Sequence, residues 1–186
     1  MMKYIFSLII LLSSPAFGQT ITDFTALNVQ DGKAFSLKNM PSKNGVVVIF
    51  TSNVCPYSVY YEGRITQLVS DYGDRIQFIL VNSMTDDKET AEQMKNKIST
   101  WGLSVPYLAD KDGTISNQFG ARKSPEVFLL KPVGGAYKVY YKGSIDNNPQ
   151  VANDVKDQYL KKNIENLLAG KSAVANSTRP IGCMIR

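Results

Sequence analysis

The chain has 186 residues, a net charge of +5, two cysteines and no histidine. That length suits one domain with its own core, and the missing histidine removes Ser-His and Cys-His catalysis together with the commonest metal ligand. Two distant cysteines do not make a zinc site, and the lysines are dispersed, as in "KNK" (95–97) and "KK" (161–162), without the clustered basic stripe that nucleic-acid binding needs.

Residues 1–18 read as an export signal. Lys3 gives the positive start, Tyr4 to Leu12 the apolar stretch, and "SSPAFG" the small residues at which cleavage after Gly18 fits. The apolar stretch is about half the ~20 residues of a membrane span, so no stable span is expected in the mature chain. Removing the leader leaves 186 − 18 = 168 residues, with 20 basic against 16 acidic side chains, a net charge of +4. A periplasmic or secreted location places the cysteines in an oxidising setting. Two of them in a chain of this size point to chemistry or to one bridge rather than to a disulfide scaffold.

The remaining elements follow in order. "VVVIFT" (46–51) is a continuous β-branched run and predicts a buried strand. From Pro56 to about Ser70, apolar residues fall at helical spacing, and Pro56 suits the first helical position. "IQFILVN" (76–82) predicts a second buried strand. Residues 86–102 predict an amphipathic helix with an acidic first turn and Gly102 at its end. A turn and short helix over 112–120 follow, then strands over 126–131 and 136–143 joined by "PVGG" as a hairpin. A last amphipathic helix covers 154–170, and 171–186 is a polar tail without periodicity. Strands alternating with helices predict a mostly parallel α/β sheet covered on both faces, made mixed by the closing hairpin. The expected organisation is a leader (1–18), one domain (19–170) and the tail (171–186).

Chemistry concentrates at "TSNVCPYSVYYEGR" (51–64). Cys55 stands between a strand and the first turn of a helix, where unpaired N–H groups and the helix dipole favour a thiolate. A buried, inert cysteine is the competing reading. Ser58 occupies the place of the second cysteine in a Cys-x-x-Cys spacing and can hydrogen-bond but not exchange disulfides, so a second thiol must come from Cys183, a small molecule or a partner. Ser124-Pro125 precedes a strand, at a position where proline's missing donor does no harm. Asn176-Ser177-Thr178 matches a glycosylation sequon, which beside a bacterial-looking leader is read as coincidence.

Taken together, "FTSNVCPYSVYYEGRI", "VPYLADKDGTISNQFGARKSPEVFLL", "YYKGSIDNNP" and "RPIGCMIR" resemble the thioredoxin-like superfamily, in particular its redoxin branch, the alkyl hydroperoxide reductase/thiol-specific antioxidant family. The resemblance runs from about Phe24 to the C-terminus. It implies a thioredoxin-like three-layer α/β/α sandwich around a central mixed sheet. It also implies that Cys55 is the attacking thiol, that Ser58 holds the second motif position, and that Ser124-Pro125 is a cis-proline turn lying against the cysteine. Arg122 would be a thiolate-stabilising cation and Ser52 the hydroxyl three residues before the cysteine. Glu62 and Arg64, on the helix after the cysteine, are read as a surface or helix-packing ion pair. The chain departs from the family pattern at Val54, where thioredoxins carry tryptophan, and at Val48, where peroxiredoxins carry proline.

Three activities follow from this. The first is an exported thiol-disulfide oxidoreductase using Cys55, with Cys183 or an external thiol completing the cycle. The second is a one-cysteine peroxidase oxidised to a sulfenic acid at Cys55, with Ser52 and Arg122 polarising the peroxide. The third is a non-catalytic peptide-binding domain on the same scaffold. A protein or small-molecule thiol or disulfide is the expected partner; no cofactor, metal or nucleic acid is expected.

Overall fold

The computed structural model describes residues 18–185. The leader therefore lies outside the described residues except for Gly18. Ten strands and four helices are present among the described residues: β1 (Thr20–Ile21), β2 (Thr25–Asn28), β3 (Lys33–Ser36), β4 (Gly45–Phe50), α1 (Pro56–Tyr72), β5 (Ile76–Asn82), α2 (Ala91–Trp101), β6 (Tyr107–Ala109), α3 (Thr114–Phe119), β7 (Lys123–Ser124), β8 (Glu126–Val133), β9 (Ala136–Gly143), α4 (Tyr159–Leu168) and β10 (Cys183–Met184).

Eight strands form one mixed sheet in the order β1-β9-β8-β4-β5-β6-β2-β3. Its centre is the run that the apolar, β-branched sequences predict: β4 is parallel to β5 and antiparallel to β8, with Val48 opposite both Ile79 and Phe128. Parallel pairing is confined to β4-β5 and β5-β6; every other pair in the sheet is antiparallel. The sheet is thus less parallel than the alternation of elements suggests. The antiparallel share comes from the β8-β9 hairpin and from short N-terminal strands that carry no strong period-2 signal.

The two-residue periodicity of β4 divides the core. Val47 and Ile49 face the layer of α1, α2 and α4, where Tyr61, Ile65, Leu68, Ile98 and Ile164 pack. Val46, Val48 and Phe50 face the opposite layer, built from α3 and the N-terminal segment through Ile21, Phe24, Phe35 and Phe119. On that side Phe119 stands edge-on to Phe24, Phe50 and Phe128, with centroids 5.0–5.7 Å apart. This is the three-layer α/β/α arrangement of the thioredoxin-like fold.

Two helices begin later than their sequence patterns suggest. In 86–102, Asp86 caps a single 3-10 turn (Asp87–Glu89), and α2 restarts after Thr90, whose hydroxyl accepts from Gln93 N–H. The break turns Glu89 inward. In 154–170, the Asn147 side chain accepts from the N–H groups of Lys156 and Asp157 at 3.0 and 3.1 Å, which holds that stretch out of the helix until Tyr159. The β8-β9 turn places Gly134 and Gly135 both at positive φ (58° and 81°), as a tight twisted hairpin requires. No described helix is long and apolar enough to cross a membrane.

Candidate active site

Cys55 is the N-cap of α1, held by the loop that leaves β4 at Phe50. Pro56 takes the first helical position, where no N–H is missed. The Cys55 carbonyl accepts from Val59 N–H at 3.0 Å, so the helix starts immediately behind the sulfur. With 3% of its surface exposed, Cys55 sits beneath the tail.

The loop is fixed from below. Ser52 Oγ accepts from the N–H of Cys55 at 2.9 Å and of Val54 at 3.2 Å, and its own hydroxyl donates to Glu89. Glu89 is fully buried and also accepts from Asn53 N–H (2.9 Å), Val54 N–H (3.3 Å) and Asn82 Nδ2 (2.6 Å). The Tyr107 hydroxyl joins the same group, accepting from Asn82 Nδ2 and donating to Asn53 Oδ1, each at 3.0 Å. Burial pushes the Tyr107 phenol well above its ordinary value. Lys111 closes the wall by donating to the carbonyl of Met84 (2.7 Å) and to the Asn82 side chain (3.1 Å); burial pushes its ammonium down. A buried carboxylate with four donors is a satisfied one, and here it clamps the three residues before Cys55. The sequence gives no sign of this, because one glutamate in "DDKET" looks like any other exposed helix charge.

Above Cys55 lies the Ser124-Pro125 turn, whose peptide bond is cis. The Ser124 carbonyl oxygen is 3.2 Å from Cys55 Sγ, and Ser124 Oγ pairs with the buried Ser58 Oγ at 2.8 Å. Ser58 therefore ties α1 to the cis-proline turn. Arg122 is set apart: its side chain is exposed, lining an outer pocket with Lys111, Ser116, Asn117 and Met184, while its backbone N–H donates to Glu126 (2.8 Å) and its carbonyl accepts from Ile185 N–H (3.0 Å). Glu62 pairs with Lys97 at 2.6 Å, and Arg64 with Asp146 at 2.6 Å, the guanidinium lying 3.7 Å from the Tyr61 ring centroid.

The tail supplies the second sulfur. Cys55 and Cys183 form a disulfide, with Cα atoms 6.1 Å apart across 128 positions of sequence. Antiparallel pairing of β10 with β7 sets Cys183 opposite Ser124 and Met184 opposite Lys123. Ile185 N–H extends the ladder to Arg122 O, Lys123 Nζ donates to Gly182 O at 3.2 Å, and Ile185 packs on the Phe119 side of the core. Gly182 is required by this approach: a Cβ there would fall 2.6 Å from the Ser124 carbonyl carbon and 2.9 Å from Pro125 N. Cys183 lines an open pocket with Met84, Thr85, Asp86 and Met184, whereas Cys55 does not. Val54, Val59, Tyr60, Ile181 and Met184 are exposed.

The arrangement thus brings Cys55, Cys183, Ser58, Ser124 and Pro125 together, with Ser52 and Pro56 supporting the loop. Two sulfurs that can be bridged or reduced form a two-electron couple. Among the described residues no cluster of His, Cys, Asp or Glu could hold a metal.

Comparison with known proteins follows the same outline. The family described as AhpC/TSA matches residues 17–142. No curated protein matches the chain. Among solved structures, a hypothetical protein from Sinorhizobium meliloti 1021 is similar at 26% identity and a TM-score of 0.82, covering 93% of this chain and 95% of that one. A peroxidoxin, BcpB, from Mycobacterium tuberculosis is similar at 20% identity and a TM-score of 0.61, covering 84% and 98%. A secreted M. tuberculosis disulfide oxidoreductase is similar at 20% identity and a TM-score of 0.50, covering 58% and 75%.

Proposed function

The chain belongs to the AhpC/TSA family, and from that premise we propose that it is an exported thiol-disulfide oxidoreductase whose working pair is Cys55 and Cys183. The single observation that carries this reading is the bridge between them, built at the N-terminus of α1 and against the cis-proline turn. The leader-like residues 1–18 support export.

In the reduced protein the Cys55 thiolate, favoured by the helix N-terminus, attacks one sulfur of a substrate disulfide. A mixed disulfide forms and the first substrate thiolate leaves. Cys183 then attacks Cys55 Sγ, which closes the internal disulfide and releases the second substrate thiol. Two electrons have passed from the protein to the substrate. To reset the pair, an external thiol meets the bridge at Cys183, the sulfur that borders the open pocket. The expelled Cys55 thiolate is the better leaving group, and a second external thiol frees Cys183. Run in reverse, the same steps oxidise a dithiol substrate.

The peroxidase reading draws on Ser52 as a donor to the peroxide. Its hydroxyl hydrogen is directed to Glu89 instead, and its lone pairs take the N–H groups of Val54 and Cys55, which favours the disulfide reading. The test is reduction of insulin or a mixed aromatic disulfide by dithiothreitol, with and without the protein. Catalysis by the wild type and its loss in Cys55→Ser is the expected result; equal rates with the two proteins would end the proposal.

A further inference from the structure

The tail is docked twice, and only one of the docks involves the disulfide. Upstream of Cys183, residues 176–179 lie along the end of β9. Lys142 N–H donates to Asn176 O (3.1 Å), Thr178 N–H donates to Lys142 O (3.0 Å), and Ser144 Oγ donates to Arg179 O (2.8 Å). At the centre is the Thr178 hydroxyl. It accepts from Ser144 N–H at 2.9 Å and shares a hydrogen bond with the buried Tyr141 hydroxyl at 2.6 Å, which itself lies 2.6 Å from Ser144 O. Gly143, at φ +134°, leaves room for it: a Cβ there would stand 2.8 Å from the Thr178 carbonyl carbon. None of these contacts needs the Cys55–Cys183 bond.

We propose that Thr178 is a positioning residue for the redox couple: its dock outlasts reduction and keeps Cys183 poised over Cys55 on a short tether. This rests on the reading of Cys55 and Cys183 as the working pair. With the dock in place, the free tether runs only from Arg179 to Cys183 (183 − 179 = 4 residues). Its reach is about 14 Å. Without it, the next anchor is Val174, whose N–H donates to Asn163 Oδ1 at 3.0 Å, and the tether becomes 183 − 174 = 9 residues. Effective concentration falls roughly as the −3/2 power of tether length, so losing the dock weakens closure of the disulfide about three-fold. The "NST" sequence thus gains a structural reason that owes nothing to glycosylation.

The reaction measured is the exchange of the Cys55–Cys183 disulfide with two molecules of reduced glutathione. It yields two protein thiols and one oxidised glutathione, with two electrons and two protons passing to the protein. The full chain is equilibrated in glutathione mixtures, quenched with acid, alkylated and weighed. Thr178→Val/Ser144→Ala leaves the backbone bonds of Asn176 and Thr178 to Lys142 in place, so it should lower the equilibrium constant for disulfide formation by up to about three-fold, the limit set by complete release of the dock, and Thr178→Ser should restore it. In a Cys183→Ser background Thr178→Val should speed the alkylation of Cys55, because the tail that leaves it only 3% exposed is then less firmly held, and this reads the dock with no disulfide present.

Two insertions provide a test that leaves every dock residue intact. Six Gly/Ser residues between Arg179 and Pro180 lengthen the tether from 4 to 10 residues and should cost about four-fold. The same insert between Ser172 and Ala173, upstream of the dock, should leave the constant unchanged. Equal losses from both insertions, or a Thr178→Val/Ser144→Ala protein with the wild-type constant, would overturn the role of Thr178. A wild-type bridge that never exchanges with glutathione would instead overturn the functional reading beneath it.

Discussion

Gly182 offers the sharpest handle on the site, because its replacement touches one contact only. The residue immediately before Cys183 lies flat against the Ser124-Pro125 turn, and a Cβ would meet the Ser124 carbonyl and Pro125 N, all backbone atoms. That turn is anchored by the Ser58–Ser124 hydroxyl pair and by Glu126, whose carboxylate accepts from the N–H groups of Arg122 and Lys123. The turn therefore cannot retreat, and Gly182→Ala must lift the β10 strand. Overpacking of this kind costs about 1–3 kcal/mol. The penalty falls mainly on the bridged form, since after reduction the short stretch beyond Arg179 can swing clear of the turn while the upstream dock holds. At ten-fold per 1.4 kcal/mol the disulfide becomes about 5- to 150-fold easier to reduce, a rise in potential of roughly 20–65 mV. Equilibration with glutathione buffers, followed by acid trapping and mass measurement, reads this directly. A Gly182→Ala protein with the wild-type potential would refute the claim that the tail strand is seated against the turn by close backbone contact.

Further outcomes follow from the same geometry. Glu89→Ala leaves the Ser52 hydroxyl, the N–H groups of Asn53 and Val54 and the Asn82 amide without their shared acceptor. At about 1–3 kcal/mol per unsatisfied buried group, with partial recovery by water, a loss near 4 kcal/mol and a Tm lower by about 10 °C are expected in thermal unfolding. Ser58→Ala removes one buried hydrogen bond and strands the Ser124 hydroxyl, so chemical denaturation should show a loss of about 1–2 kcal/mol with the fold intact. Burial raises the phenols of Tyr61, Tyr107 and Tyr141, and raises Tyr72 to about 12. Between their unfolded value near 10 and these higher folded values, the folded state holds the extra protons. Their stabilisation is complete below about pH 10 and is lost as pH rises beyond it. Denaturation midpoints should therefore be level through neutral pH and fall above about pH 10, with a shallower fall in Tyr107→Phe.

The sequence exposes the parts of the molecule whose pattern is local. β4 and β5 are unbroken apolar runs, α1 opens on Cys-Pro, and two glycines close the β8-β9 hairpin, so the strand-cysteine-helix core of the site can be read directly. What stays hidden depends on distant partners. β7 and β10 are two-residue strands that exist only because the tail returns to the cis-proline turn. Glu89 is buried because Ser52, Asn53 and Asn82 converge on it, and no periodicity marks one carboxylate among five polar residues. Ser52 is visible as a hydroxyl three positions before Cys55, yet the direction of its hydrogen bond is set by that same glutamate. The late start of α4 has a similar origin, in the capture of residues 156 and 157 by Asn147. Thr178 falls within a sequon-like triplet, and only the fold brings it to Tyr141 and Ser144.

In the proposed mechanism Cys55 attacks and Cys183 resolves. Reacting reduced Cys183→Ser protein with an excess of a small disulfide and mapping the product by mass separates the two roles. A stable mixed disulfide on Cys55 is expected, absent from wild-type protein, which should instead end as the Cys55–Cys183 disulfide. A Cys183→Ser protein that forms no adduct at Cys55, or a wild-type protein that accumulates the same mixed disulfide without closing the internal one, would contradict the mechanism.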